Sequence, residues 1–491
     1  MRLIVSVCVM GILVAEAQAA PVVLTAQSTP AAVAWPREVP ARAREVEVRL
    51  RMTLEGPAEG AGLVILQPDA ALEGISWVEP NVKGCFGVGF DTANPPTENI
   101  FNADCNVYDR PQREVSLHWD GAEIANALSP VEYNDGQPHE VVVQIEFRVA
   151  AAEVSVSIDG TPIHDRVFVP GMLPYASRPA FGLSPLERSR CTVELVGLTS
   201  RGKAPETRLA DHREAIAGAV LNSGHQQEEA TVALPEAGKP YARVLLTVAL
   251  GAPPDGIDPW DRAGSVYVWS EAGERFEILR FITPFGRAVT WQVDVTDYQP
   301  LLRGSRKMAV AIGTWVKGWK VDLSLDYYAG RPAQYAQRVT NLWNGDFDYG
   351  NPAAPMDAQF PTRKVALEPT TRHAKVRAVV TGHGMSPNTN NAAEFMPAGR
   401  TVTVNGHVFE NLLWRTDCYL NPCRPQGGTW KFDRAGWCPG SLVRPWDIDL
   451  GEVAKPGEAL TIDYKPQPYT NENAGKGRAS HLVEVQLIEY R

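Results

Sequence analysis

The sequence predicts an all-β fold of antiparallel sandwiches, with jelly rolls the expected subtype, and three observations carry that prediction. Nearly every readable segment alternates apolar and polar residues with period two. Asp-Gly and Asn-Gly hairpin signals sit between such segments. The chain holds 41 glycines and 39 prolines, which supply turns, and only Asp211 to Leu221 reads as helical. In order, Val46, Val48, Leu50, Met52 and Leu54 face one way while Glu45, Glu47, Arg49 and Arg51 face the other, which makes a half-buried strand. Val154, Val156 and Ile158 run into Asp159-Gly160, a strand entering a hairpin turn. Val321, Leu323 and Leu325 alternate with Asp322, Ser324 and Asp326. Val402 and Val404 enter Asn405-Gly406 before Val408, and Val483, Val485 and Leu487 close the chain.

At 491 residues the chain is too long for one ordinary core, and about three domains are expected. Boundaries fall at two stretches without alternation, polar Thr199 to Arg213 and the Pro-rich segment from Arg331 to Thr362. Residues 1–19 read as an export signal: Arg2 starts it, Leu3 to Val14 is apolar, and Ala17-Gln18-Ala19 fits the cleavage rule. The remaining domains are then 20–200, 213–331 and 332–491. No later apolar run is long enough to span a bilayer, so a periplasmic or secreted monomer with no membrane attachment after cleavage is expected.

Beyond Cys8 of the signal, six cysteines remain, an even number that favours disulfides in an exported protein, with buried thiols the alternative. Cys85 and Cys105 flank a loop rich in Pro and Asn and are expected to bridge it. A net charge of -10 argues against nucleic acid, whose affinity comes from clustered Lys and Arg. Two segments, Asp258-Pro259-Trp260-Asp261-Arg262 and Asp433 to Gly440, each set carboxylate, guanidinium and indole side by side. Charged forks bind sugar hydroxyls and indole rings lie against sugar C–H faces, so the two together point to a carbohydrate-directed hydrolase.

Phe86 to Thr92, Leu117 to Gly121 and Pro179 to Leu183 resemble concanavalin A-like lectin and laminin-G-like domains, which implies a two-sheet sandwich over residues 32 to 199. From Val244 onward, Asp258 to Arg262, Glu277 to Phe285 and Val293 to Tyr298 are similar to the N-terminal half of the peptide-N-glycosidase F family. Thr381-Gly382-His383-Gly384, Ala393-Glu394-Phe395, Gly428-Thr429-Trp430 and Arg434 through Gly440 are similar to its C-terminal half. This resemblance implies tandem eight-stranded jelly rolls with the active site in the cleft between them. It also implies metal-independent, cofactor-free hydrolysis of the amide joining the first GlcNAc to asparagine in N-linked glycoproteins or glycopeptides.

By the same resemblance Asp261 falls on the principal catalytic aspartate and Glu394 on a second essential carboxylate. Arg262 and Arg434 are expected to place positive charge beside them and lower their pKa values, and Trp260, Trp315 and Trp437 to shape the cleft. The pair Cys418 with Cys438 is implied too, leaving Cys191 and Cys423 without assigned partners. Two departures concern substrate binding: Gly313 replaces a third cleft glutamate, and His383 replaces a tryptophan. Gly313 removes a polar anchor or leaves room for a substituent such as core fucose. Rival readings are a non-catalytic glycan binder on the same scaffold, a glycosidase that cuts between sugars, and a copper peptide monooxygenase. For copper, His373, His383, His407 and His481 are too scattered to form the paired imidazoles needed, and no metal site is predicted.

Overall fold

The computed structural model describes residues 20–26, 31–55, 59–92, 113–184, 189–236, 238–384, 393–471 and 477–491. The expected signal segment and Cys105 lie outside the described residues. The chain forms two compact units, one running to Thr207 and the other from Arg208 to Arg491.

The first unit is a sandwich of two six-stranded antiparallel sheets. Its strands are β1 (Val22–Ala26), β2 (Ala31–Ala34), β3 (Ala43–Glu55), β4 (Gly60–Leu66), β5 (Phe86–Asp91), β6 (Glu114–Trp119), β7 (Ala122–Leu128), β8 (Pro138–Arg148), β9 (Ala151–Ile158), β10 (Thr161–Pro170), β11 (Arg178–Leu183) and β12 (Ser189–Lys203). One sheet runs β1-β12-β3-β8-β9-β10 and the other β2-β11-β4-β5-β6-β7. Alternation buries Val48, Leu50, Met52 and Leu54 against Leu63, Val88 and Phe181. Across the second sheet Gly182, Gly62 and Gly89 stand side by side in register, followed by Ser116. The segment around Trp77 lies on this glycine row so closely that a Cβ at Gly182 would sit 2.1 Å from the indole. Glycine is required there for close approach rather than for an unusual φ. Cys85 is a thiol packed with Val64, Leu66 and Trp77, so the expected bridge to Cys105 is replaced by a small apolar side chain filling a satellite core.

The second unit holds sixteen strands in four four-stranded sheets. The first eight are β13 (Leu209–Asn222), β14 (Gln227–Ala233), β15 (Tyr241–Gly251), β16 (Ala263–Trp269), β17 (Arg275–Ile282), β18 (Val289–Asp294), β19 (Ser305–Ile312) and β20 (Gly318–Ala329). The second eight are β21 (Ala336–Asp348), β22 (Arg363–Ala366), β23 (His373–His383), β24 (Ala398–Val404), β25 (His407–Leu413), β26 (Trp446–Asp449), β27 (Ala459–Pro466) and β28 (Ser480–Tyr490). The sheet orders β13-β20-β15-β18 and β14-β19-β16-β17 recur as β21-β28-β23-β26 and β22-β27-β24-β25. Two jelly rolls of one topology therefore follow each other in the chain.

Three local expectations are corrected. Asp211 to Leu221 is not helical but lies in β13, paired with β20 through three register shifts. Each extra residue of a bulge breaks the period of two, which is why the sequence imitates a helix there. The stretch Thr199 to Arg213 is mostly strand, since β12 continues to Lys203 and β13 begins at Leu209. The segment Arg331 to Thr362 contains β21, whose alternation is again broken by register shifts. Among the described residues no helix is long and apolar enough to cross a membrane.

The two jelly rolls are joined through β17 and β28. Arg280 is 4% exposed and chelates Glu277 through Nε and Nη2 at 2.8 and 2.5 Å, while Nη1 donates to the Leu482 carbonyl at 2.6 Å. Gln486 donates to the Glu277 carbonyl at 3.1 Å and to Glu484 Oε1 at 2.6 Å. Two buried carboxylates, Glu277 in direct contact and Glu484 farther off, thus share the field of one buried guanidinium. Burial, with Glu277 beside it, pushes Glu484 well above the usual carboxylate range. A raised folded-state pKa gives stability that is complete below the unfolded value of about 4.3 and is lost as pH rises through the folded one. The melting temperature of the wild type is therefore expected to fall more steeply toward alkaline pH than that of Glu484→Gln. Parallel curves across a pH series of thermal melts would contradict this.

Candidate active site

Asp261 lies in the connection from β15 to β16, held from below by Asp258. Asp258 is fully buried; its Oδ1 accepts from the Trp260 backbone N–H at 2.9 Å, and its Oδ2 from Arg262 Nε at 2.9 Å and from Thr314 Oγ1. Arg262 and Thr283 exchange further bonds at 2.8 Å, which fix the backbone on the far side of Asp261. Asp258 thus folds the turn that presents Asp261, a role for which its place three residues ahead in the same motif was the available signal.

Glu394 comes from the connection between β23 and β24. Its N–H donates to Gly384 at 3.3 Å and its carbonyl accepts from Ala435 at 2.9 Å, so the backbone bearing Glu394 is stitched to the segment bearing Arg434. That segment is closed by the disulfide between Cys418 and Cys438, twenty residues apart. Cys191 and Cys423 are buried thiols. Closing a loop of this size stabilises by about 3 kcal/mol. Replacing both bridge cysteines by alanine is expected to lose about that much in urea unfolding, and an unchanged midpoint would refute it.

Arg434 is the centre of the arrangement. Its side chain is 1% exposed; Nη2 lies 3.6 Å from Asp261 Oδ2 and Nε lies 3.5 Å from Glu394 Oε1. Nη1 donates to the carbonyls of Thr429 and Phe432 at 2.9 and 2.8 Å, and Nη2 to Thr429 Oγ1 at 2.7 Å. The rings of Phe395 and Trp437 flank the guanidinium at 5.0 and 4.8 Å. Carboxylates 133 residues apart in sequence, one from each jelly roll, therefore meet at one charge. Both remain partly open, at 17% and 20% side-chain exposure.

The electrostatics differ from expectation. Burial pushes Asp261 upward despite the pull of Arg434 and Arg262. Burial, with Asp261 nearby, likewise raises Glu394 against Arg434. The arginines were expected to lower both groups; desolvation outweighs them because one buried guanidinium is shared between two acids. Arg262 is mainly engaged elsewhere, paired with Asp258 and lying 4.2 Å from the exposed ring of Trp315. Trp260 and Trp315 are exposed at 42% and 65%, whereas Trp437 is buried and donates to the Gly382 carbonyl at 2.8 Å. His383 stacks on Trp437 at 5.3 Å. Gly313 faces open space: a Cβ there would meet only the Trp315 ring, at 3.9 Å. Thr283, Phe395 and Thr429 lie inside motifs quoted from the sequence but received no role there, and neither did Thr314; all are ordinary types whose parts only contact geometry singles out. Among the described residues no three His, Cys, Asp or Glu side chains gather as a metal site would require.

Two jelly rolls of identical strand order, with a carboxylate from each converging on one buried guanidinium, define a tandem jelly-roll protein with a two-carboxylate site. The family descriptions that match are "Peptide-N-glycosidase F, N terminal" over residues 270–327 and "Peptide-N-glycosidase F, C terminal" over residues 352–487. A curated relative, peptide-N(4)-(N-acetyl-beta-D-glucosaminyl)asparagine amidase F of Elizabethkingia miricola, is 29% identical over 278 residues, which is 54% of this chain and 78% of that protein. A solved structure of an amidase of that name superposes with TM-score 0.52 at 25% identity, covering 57% of this chain and 96% of its own. Another, PNGase F described as a glycosylasparaginase from Flavobacterium meningosepticum, gives 0.53 at 25% identity, covering 58% and 96%. The tandem jelly-roll part of this chain is thus similar to the peptide-N-glycosidase F family in both of its halves.

Proposed function

We propose that the protein hydrolyses the amide between the first GlcNAc and asparagine of N-linked glycopeptides, releasing the whole glycan and leaving aspartate. One observation carries the reading: Asp261 and Glu394, from different jelly rolls, flank the buried Arg434 guanidinium while keeping an open edge. An amide yields only when water is positioned, the tetrahedral oxygen is stabilised and the leaving nitrogen is protonated. Asp261, whose pKa burial raises, is suited to exchange a proton at the scissile linkage. Water oxygen joins the acyl carbon to make the aspartate side chain, the C–N bond breaks, and the nitrogen departs on the sugar as a glycosylamine. Glu394 holds the sugar or the water, and Arg434 keeps the two acids apart in charge and place. The exposed indoles of Trp260 and Trp315 offer faces to sugar or peptide. Mass spectrometry of a digested glycopeptide tests the reading. An Asn-to-Asp product and an intact free glycan support it, whereas a peptide still carrying GlcNAc, or no product, would overturn it.

The open space at Gly313 supports tolerance of a fucose on the first GlcNAc. A Cβ at position 313 meets no clash, and Gly313→Glu is expected to slow fucosylated glycopeptides at least tenfold more than plain ones, since a displaced substituent or a lost contact costs about 1–3 kcal/mol. Equal slowing of both would count against it. The Cys418–Cys438 bridge and the apolar start of the chain support action outside the cytoplasm, in the periplasm or the medium.

A further inference from the structure

His383 lies at the end of β23, beside the Glu394 backbone through the Gly384 carbonyl, and its ring is half-buried. Its Nε2 is 2.8 Å from Thr381 Oγ1, which is fully buried. Arg280 Nη1 also reaches Thr381 Oγ1, at 3.3 Å. Arginine only donates, so one lone pair of the Thr381 oxygen is taken by the guanidinium. The single Thr381 hydroxyl proton then needs an acceptor, and among its hydrogen-bond partners in the described residues only the bare Nε2 of His383 is one. The ring proton is left on Nδ1, which has no protein partner among the described residues. Burial and the positive charges of Arg280 and Arg434 pull His383 down to about 3, so the ring is neutral at working pH.

We propose that the chain Glu277–Arg280–Thr381 holds His383 as the neutral Nδ1–H tautomer, and that this N–H donates a hydrogen bond to an oxygen of the bound sugar. The sugar side is chosen because the ring stacks on Trp437, whose own ring flanks the Arg434 guanidinium that pairs with Glu394, the carboxylate assigned to sugar or water. This rests on the functional reading above. Arg280 and Thr381 act through His383 and are positioning residues, which ties sugar recognition in the cleft to the interface between the two jelly rolls.

Long-range proton–nitrogen NMR of the full chain labelled at histidine nitrogen reads the tautomer directly and needs no turnover. Nε2 is expected to resonate as an unprotonated nitrogen and Nδ1 as a protonated one at neutral pH, with Thr381→Val moving the ring toward a mixture. A protonated Nε2 in the wild type, or a Thr381→Val spectrum identical to it, overturns the proposal. Calorimetric titration with the GlcNAc–GlcNAc disaccharide gives the second arm. His383→Phe keeps a ring to stack on Trp437 and is expected to weaken binding about five- to tenfold, the worth of one hydrogen bond; unchanged affinity overturns the sugar assignment. Wild-type protein that binds the disaccharide but releases no glycan would refute the amidase reading alone, so the two failures are distinguishable.

Discussion

Asp261→Asn is expected to abolish glycan release, lowering kcat by about a thousandfold or more, the usual worth of a positioned proton-transfer group. The fold should survive. Asparagine has the same shape, and the turn is held by Asp258, Thr283 and Thr314 rather than by the Asp261 carboxyl. Stability should even improve at alkaline pH. Burial raises the Asp261 pKa, so its contribution to stability is complete below the unfolded value of about 3.9 and declines as pH rises through the folded value, and asparagine removes that decline. Single-turnover release from a glycopeptide, with urea unfolding of both proteins across a pH series that starts below the unfolded value of about 3.9, measures both. A variant retaining a tenth of the activity would remove Asp261 from the chemistry.

Replacing Arg434 is expected to be the most damaging change to both stability and rate. The guanidinium is sealed from solvent, fixed by Thr429 and Phe432, and carries the charge shared by Asp261 and Glu394. Arg434→Met leaves two acids facing each other without a cation, which costs about 3–5 kcal/mol in a buried pair unless the acids take up protons. They are expected to do so, pushing both pKa values further upward and depressing kcat/KM about a hundredfold or more. Arg434→Lys restores charge but not the fork that donates to the Thr429 and Phe432 carbonyls and the Thr429 hydroxyl together, so it should rescue stability more than rate. Full activity in the lysine variant would show that only charge is needed.

Much of the architecture was legible in the chain because period-two alternation directly records which face of a strand meets a core. β3, β9, β20 and β28 were readable for that reason. β13 and β21 were not, because bulges insert residues whose effect on register exists only against a partner strand. In the site, Asp261, Glu394 and Arg434 were readable as motif members with roles, while Asp258 and Thr429 stood in the same motifs without one, because what they do rests on contacts to Thr314 and to the Arg434 guanidinium that residue type alone does not announce.

By itself the chain determined the strand character, the turn chemistry and the identity of the acids and the arginine, since all of these depend on residue type and near neighbours. Tertiary structure alone decided that one buried guanidinium serves both acids, that burial outweighs its pull on their protons, and that Arg262 is claimed by Asp258. The reason is that solvent exclusion and charge sharing arise only when distant segments are packed together, and neither has a local signature.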